Sequence, residues 1–175
     1  MKRLEKGYVH IYTGDGKGKT TAALGVALRA AGHGMTTYIG QFMKGIAYGE
    51  LAALKHIPLI TVEQYGGSDC IRKEAVTDKE RDQAMRGLIR AQDMMRSGLF
   101  DILILDEVLV AIWFTLLTEK ALLEMLEKRP EQMELILTGR KATHPLIEMA
   151  DIVSDIQEVK HYYHQGILAR DGIER

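Results

Sequence analysis

An α/β fold with a mostly parallel central sheet is predicted for this chain by three observations. Short β-branched and aromatic runs alternate with helical patterns along the whole length, the signature of a parallel sheet covered by helices on both sides. The run Ile102, Leu103, Ile104, Leu105 is apolar without alternation and ends in Asp106, as expected of a central strand buried on both faces. A glycine-rich segment separates a strand pattern from a helix pattern near the start, which is the setting of a phosphate-binding loop.

The elements follow in order. Residues 8–12, Tyr-Val-His-Ile-Tyr, form the first strand, and residues 13–19 are glycine-rich. Residues 20–31 carry Ala and Leu at helical spacing, and Gly32 and Gly34 stop that helix. A second strand occupies residues 36–41, a short helix residues 50–56, and, after Pro58, a third strand residues 59–64. Residues 65–76 read as irregular, with Gly66 and Gly67 marking a turn. Residues 78–97 form a long helix closed by Gly98, and residues 101–106 the central strand. Residues 108–128 are helical with a break near Thr118, an N-cap candidate preceded by Leu117. A strand at 134–138, one or two helical turns at 145–150 and a last strand at 152–159 complete the pattern, and a polar tail follows. No repeat, low-complexity run or long linker interrupts it, so residues 1–175 read as one nucleotide-binding domain.

Composition narrows the function classes. The chain of 175 residues is 46% hydrophobic and 27% charged, the balance of a globular protein. A formal net charge of −1 provides no global positive field for nucleic acid or for an anionic membrane, and makes a nucleic-acid motor a weak reading. The single cysteine, Cys70, rules out an internal disulfide framework and fits a reducing compartment. The most apolar stretch, residues 108–117, is far short of the ~20 residues of a membrane span. Residues 1–7 are charged, with no signal-type apolar run behind them. The expectation is a cytoplasmic protein.

The strongest motif is Thr13, Gly14, Asp15, Gly16, Lys17, Gly18, Lys19, Thr20, Thr21. Glycines let the backbone curl so that successive N–H groups face phosphate oxygens, and the following helix adds its positive N-terminal dipole. Lys19 would reach a phosphate as a point charge, and Thr20 would offer a hydroxyl to magnesium. The usual motif carries glycine where this chain has Thr13, and Lys17 is an additional lysine inside the loop. A shorter and more basic loop is therefore expected.

Asp106 and Glu107 end the central strand at the edge where α/β ligands sit. Their carboxylates can hold magnesium or manganese, directly or through water, or can cap the next helix, since acids favour a helix N-terminus. Arg140, after the strand at 134–138, and Arg29, in the first helix, are candidate nucleotide-binding residues, a solvated surface arginine being the alternative for each. His161 and His164 lie three apart but lack a neighbouring cysteine or carboxylate cluster that would make a zinc site. The arginines of the long helix, 81, 86, 90 and 96, read as a solvated face or a dimer rim.

Several blocks together resemble the ATP:corrinoid adenosyltransferases of the bacterial cobalamin pathway. They are residues 13–23, then 29–34 (Arg-Ala-Ala-Gly-His-Gly), 41–45 (Gln-Phe-Met-Lys-Gly), 105–107 (Leu-Asp-Glu), 137–140 (Leu-Thr-Gly-Arg) and 159–161 (Val-Lys-His). The resemblance runs in order from about Gly7 to the C-terminus. It implies a three-layer α-β-α, RecA-like P-loop NTPase fold and a homodimer, with a flavoprotein reductase as candidate partner. It also implies transfer of the 5′-deoxyadenosyl group of ATP to a reduced corrinoid, with triphosphate released. Residues 14–21 would bind the triphosphate; Thr20 and Glu107, with Asp106 near, would serve Mg2+ or Mn2+; Lys17, Lys19 and Glu107 would be the catalytic set. The alternatives are a P-loop NTPase or kinase acting at the γ-phosphate, and a non-catalytic module that binds ATP and corrinoid. Some family members carry a Phe-Thr-Trp pattern after the third strand, against the corrinoid's lower face; residues 65–72 here contain one aromatic, Tyr65, and the lone Cys70.

Overall fold

The computed structural model of the chain describes residues 4–67 and 72–174. Its strands are β1 (Val9–Thr13), β2 (Thr37–Phe42), β3 (Ile60–Tyr65), β4 (Ile102–Asp106), β5 (Glu134–Thr138) and β6 (Ile152–Asp155). All pair in parallel in one sheet of order β3-β2-β4-β5-β1-β6. The helices are α1 (Lys19–Gly32), α2 (Gly49–Leu54), α3 (Asp78–Arg96), α4 (Val108–Trp113), α5 (Glu119–Glu127) and α6 (His144–Met149).

The two faces of the sheet are legible in the alternation of the strands, because successive side chains point to opposite sides. Ile102, Ile104, Ile136 and Ile39 pack with Ala23, Ala27 and Ala30 of α1 and Leu54 of α2 on one face. Leu103, Leu105, Leu135, Leu137 and Ile11 pack on the other with α3 to α6, through Leu88, Leu109, Leu122 and Leu146. The three-layer α/β arrangement expected from the sequence is thereby formed. No helix among the described residues is long and apolar enough to cross a membrane.

The helix starts have chemical causes. Thr77 and Glu80 form a reciprocal capping box at α3, in which the Thr77 N–H donates to the Glu80 carboxylate at 2.7 Å. The break expected near Thr118 is real: Thr118 caps α5, its hydroxyl oxygen accepting from the Ala121 N–H at 3.2 Å. The last strand is shorter than expected. It stops at Asp155, because residues 156–157 leave the sheet to run beneath the glycine-rich loop.

Gly87 sets how closely α3 approaches the sheet. A Cβ there would come within 2.7 Å of the Tyr65 ring and 3.0 Å of Phe42. The Tyr65 ring cannot swing aside freely, since its hydroxyl is hydrogen-bonded to Tyr38 at 2.8 Å and to the Glu63 carboxylate. Arg90 on α3 grips that carboxylate at 3.1 Å. Gly87→Val is expected to destabilise the fold by roughly 1–3 kcal/mol through overpacking. An unchanged denaturant midpoint would refute the close α3–β3 contact.

Candidate active site

Because every strand is parallel, Thr13, Phe42, Asp106 and Thr138 all finish at one edge of the sheet. The loop between β1 and α1 opens there. Gly14 (φ +102°) and Gly18 (φ +115°) adopt left-handed conformations suited to glycine, and they curl the loop. Gly16 is needed for a second reason: a Cβ would lie 2.6 Å from the Ile156 and Gln157 carbonyl oxygens, and its N–H donates to Ile156 at 2.7 Å. The chain after β6 thus forms the floor of the loop.

Lys19 opens α1 and is only 7% exposed. Its ammonium donates to the Gly16 carbonyl at 2.6 Å, folded back along the loop. Burial pushes its pKa below the ordinary lysine value. An anion arriving at the loop would offset that cost. Thr20 sends its hydroxyl to Asp106 Oδ1 at 2.8 Å.

Asp106 is the hub of the edge, 1% exposed. Oδ1 also accepts from Thr138 at 2.7 Å, and Oδ2 accepts from Gln41 at 3.2 Å and from Lys44 at 2.8 Å. Its acceptor positions are therefore spent on the protein. Glu107 has the opposite character. Its backbone is left-handed (φ 61°) and its N–H is held by the Thr138 hydroxyl at 2.9 Å. Its carboxylate makes no hydrogen bond or ion pair among the described residues, and it does not cap α4. Burial first, and the Asp106 charge second, push its pKa above the usual carboxylate range. A desolvated, unpaired carboxylate lining the same cavity as the Thr20 hydroxyl supplies oxygen donors of the kind a hard divalent cation takes.

A cavity of about 950 Å³ opens on this edge, lined among others by Lys17, Lys19, Thr20, Lys44, Glu107 and Arg140. Arg140 reaches the loop by pairing with Asp15 at 3.2 Å, and Lys141 stands 3.5 Å from the same carboxylate. Lys17 at the rim is bound to Glu174 at 2.6 Å, with the Tyr162 hydroxyl at 3.3 Å. That Glu174 contact raises the Lys17 pKa, and Arg170 completes the cluster. The tail after β6 is thus a wall of the cavity as well as the floor of the loop.

Of the sequence candidates, Thr13, Gly14, Arg29 and Asp106 do not line the cavity. Thr13 is buried at the end of β1, and its hydroxyl oxygen accepts from the Ala142 N–H at 3.3 Å, so it joins two loops. Arg29 is exposed in the last turn of α1, about 15 Å along the helix from Lys19 at 1.5 Å rise per residue. Cys70 falls outside the described residues. Tyr48, Tyr162 and Glu174 are not among the sequence candidates, and Lys44 enters there only within the Gln41 to Gly45 block of the family resemblance, with no role of its own. That block spans the end of β2 and the turn after it.

A glycine-cornered loop between a strand and a helix, its lysine and threonine facing an acidic strand end on an all-parallel sheet, defines a RecA-like P-loop nucleotide-binding protein. The profile of the family described as ATP:corrinoid adenosyltransferase BtuR/CobO/CobP matches residues 5–175, and the chain belongs to that family. It is similar to the corrinoid adenosyltransferase of Escherichia coli K12, with 35% identity over 97% of this chain and 86% of that protein. It is also similar to the corrinoid adenosyltransferase of a Sinorhizobium species, 33% identical over 99% and 82% of the two chains. A third relative is the corrinoid adenosyltransferase CobA of Salmonella typhimurium LT2, 33% identical over 97% and 86%.

Proposed function

We propose that this protein transfers the 5′-deoxyadenosyl group of ATP to the cobalt of a reduced corrinoid, cobalamin or a precursor, and releases triphosphate. The observation that carries the reading is the short loop Gly14 to Lys19 opening onto the cavity, in a chain of this family. The nucleophile is the Co(I) of the substrate. Its electron pair forms the Co–C5′ bond, the C5′–O bond breaks, and that pair leaves on the triphosphate, so cobalt ends as Co(III). The chain's residues need to supply no nucleophile. Their work is to bind, orient and neutralise the leaving group and to exclude water.

Lys19 and the loop N–H groups take the triphosphate, with Lys17 and Arg140 at the rim. The Thr20 hydroxyl and the Glu107 carboxylate are the residues that would hold Mg2+ or Mn2+. Asp106 orients Thr20 from behind, because its own acceptors are occupied. A bound divalent cation supplies charge neutralisation for the departing triphosphate. The family resemblance supports a homodimer and a flavoprotein reductase as electron donor, and the single cysteine supports a cytoplasmic setting.

Anaerobic incubation with ATP, magnesium and chemically reduced cob(I)alamin tests the reading. Conversion of the corrinoid spectrum to that of adenosylcobalamin, with inorganic triphosphate as the other product, is expected. Steady release of orthophosphate without a corrinoid change would replace it by action at the γ-phosphate. Binding of both ligands with no product would replace it by a non-catalytic module.

A further inference from the structure

We infer that Lys44 is a fourth phosphate-binding cation of this site, after Lys19, Lys17 and Arg140, supplied by the turn after β2 and not by the glycine-rich loop; this rests on the triphosphate reading above. The turn is built to place it. β2 ends at Phe42, and Met43 takes a left-handed conformation (φ 57°) that a non-glycine residue rarely adopts. The chain thereby doubles back over the end of β4. The turn is locked from the other side by the residues after β3. A Cβ on Gly66 would meet the Lys44 N–H nitrogen at 2.5 Å, and a Cβ on Gly45 would meet the Gly67 carbonyl oxygen at 2.6 Å.

So placed, the Lys44 side chain is 16% exposed, with its ammonium 2.8 Å from Asp106 Oδ2 and 5.3 Å from the Tyr48 ring centroid. An ammonium has three N–H donors. One goes to Asp106, and no other hydrogen bond of Lys44 occurs among the described residues. The same side chain lines the cavity beside Lys19, Thr20 and Glu107. Unspent donors of a largely desolvated cation, turned to a cavity that already holds Lys19, are completed by an anionic oxygen. Lys44 also cancels the Asp106 charge, which would otherwise repel a triphosphate at the same edge. Its role is thus double: countercharge to Asp106 on one side, phosphate contact on the other.

The test is calorimetric titration of inorganic tripolyphosphate, without divalent cation, into the wild-type protein and into Lys44→Met, Lys44→Arg and Lys19→Ala. Lys44→Met is expected to weaken tripolyphosphate binding roughly 10- to 100-fold, the range of a charge-assisted contact, and Lys44→Arg to recover most of it. If Lys44→Met is too unstable to assay, Asp106→Asn is compared with the paired Asp106→Asn, Lys44→Met variant, in which neither charge of the Lys44–Asp106 pair is left buried alone. The pair is expected to bind tripolyphosphate at least tenfold, to order of magnitude, more weakly than Asp106→Asn alone. Wild-type affinity in Lys44→Met, or equal affinity of the pair and Asp106→Asn, would overturn the inference and leave Lys44 as a countercharge only. Unchanged binding in Lys19→Ala as well would overturn the phosphate-site reading itself.

Discussion

Lys19→Ala is expected to abolish adenosyl transfer while the protein stays folded. The lysine opens α1 beside the loop, and its removal takes away the one loop cation that the protein holds desolvated. Preorganised charge aimed at a leaving group in a low-dielectric site is worth roughly 100- to 1,000-fold in rate for a single donor. The structural loss is smaller. The ammonium makes one hydrogen bond, to the Gly16 carbonyl, worth about 1 kcal/mol net, and its burial already opposes the charge. Thermal unfolding by circular dichroism and single-turnover adenosylation together check this. Normal turnover in a folded Lys19→Ala protein would remove the loop from the reaction.

The second large effect is on metal. Glu107→Gln keeps the shape, replaces one acceptor oxygen by an NH2 donor and deletes the charge. It is expected to raise the magnesium concentration for half-maximal activity by roughly tenfold or more, since a carboxylate is the main charged ligand such a site offers. Glu107 stands at the N-cap of α4 but its carboxylate makes no capping hydrogen bond, so loss of one cannot account for the effect. Isothermal titration of Mg2+ in the presence of ATP gives a readout apart from turnover. If both magnesium curves superimpose on those of the wild type, the cation is held elsewhere. The left-handed backbone at Glu107 costs of order 1–3 kcal/mol, and the Thr138 hydroxyl on its N–H is the contact that holds it.

Much of the architecture was legible because local and long-range physics agree in it. In β4 the isoleucines and leucines alternate between the two cores, so an unbroken apolar run could be assigned to a strand covered on both sides. The loop was legible because glycine spacing, strand and helix coincide. What could not be read is placement by the turn and the tail. Nothing in the periodicity of the Gln41 to Gly45 segment foretells that Met43 turns left-handed and swings Lys44 onto Asp106. Nothing local tells that Glu174 meets Lys17 across most of the chain. Arg29 stands exposed in the last turn of the 14-residue α1, which favours the solvated arginine that the sequence left open beside a nucleotide contact. The end of β6 was overextended for a related reason, since its release from the sheet is driven by the close approach to Gly14 and Gly16 and not by its own residues.

The sheet order has a consequence for how the protein is made. β1 emerges first from the ribosome, yet its two neighbours are β5 and β6, the last strands to be synthesised. The loop it carries waits longer still, because its floor is residues 156–157 and its rim lysine is held by Glu174. A nascent chain can pair β2, β3 and β4 and seat α3 early, but β1 stays unpaired until β5 has been made. Contacts of such long sequence separation slow folding and leave an apolar strand exposed meanwhile. Competence to bind nucleotide therefore waits until Glu174 has been made, and a chain stopped before β5 would hold a hydrophobic half-sheet with no finished site.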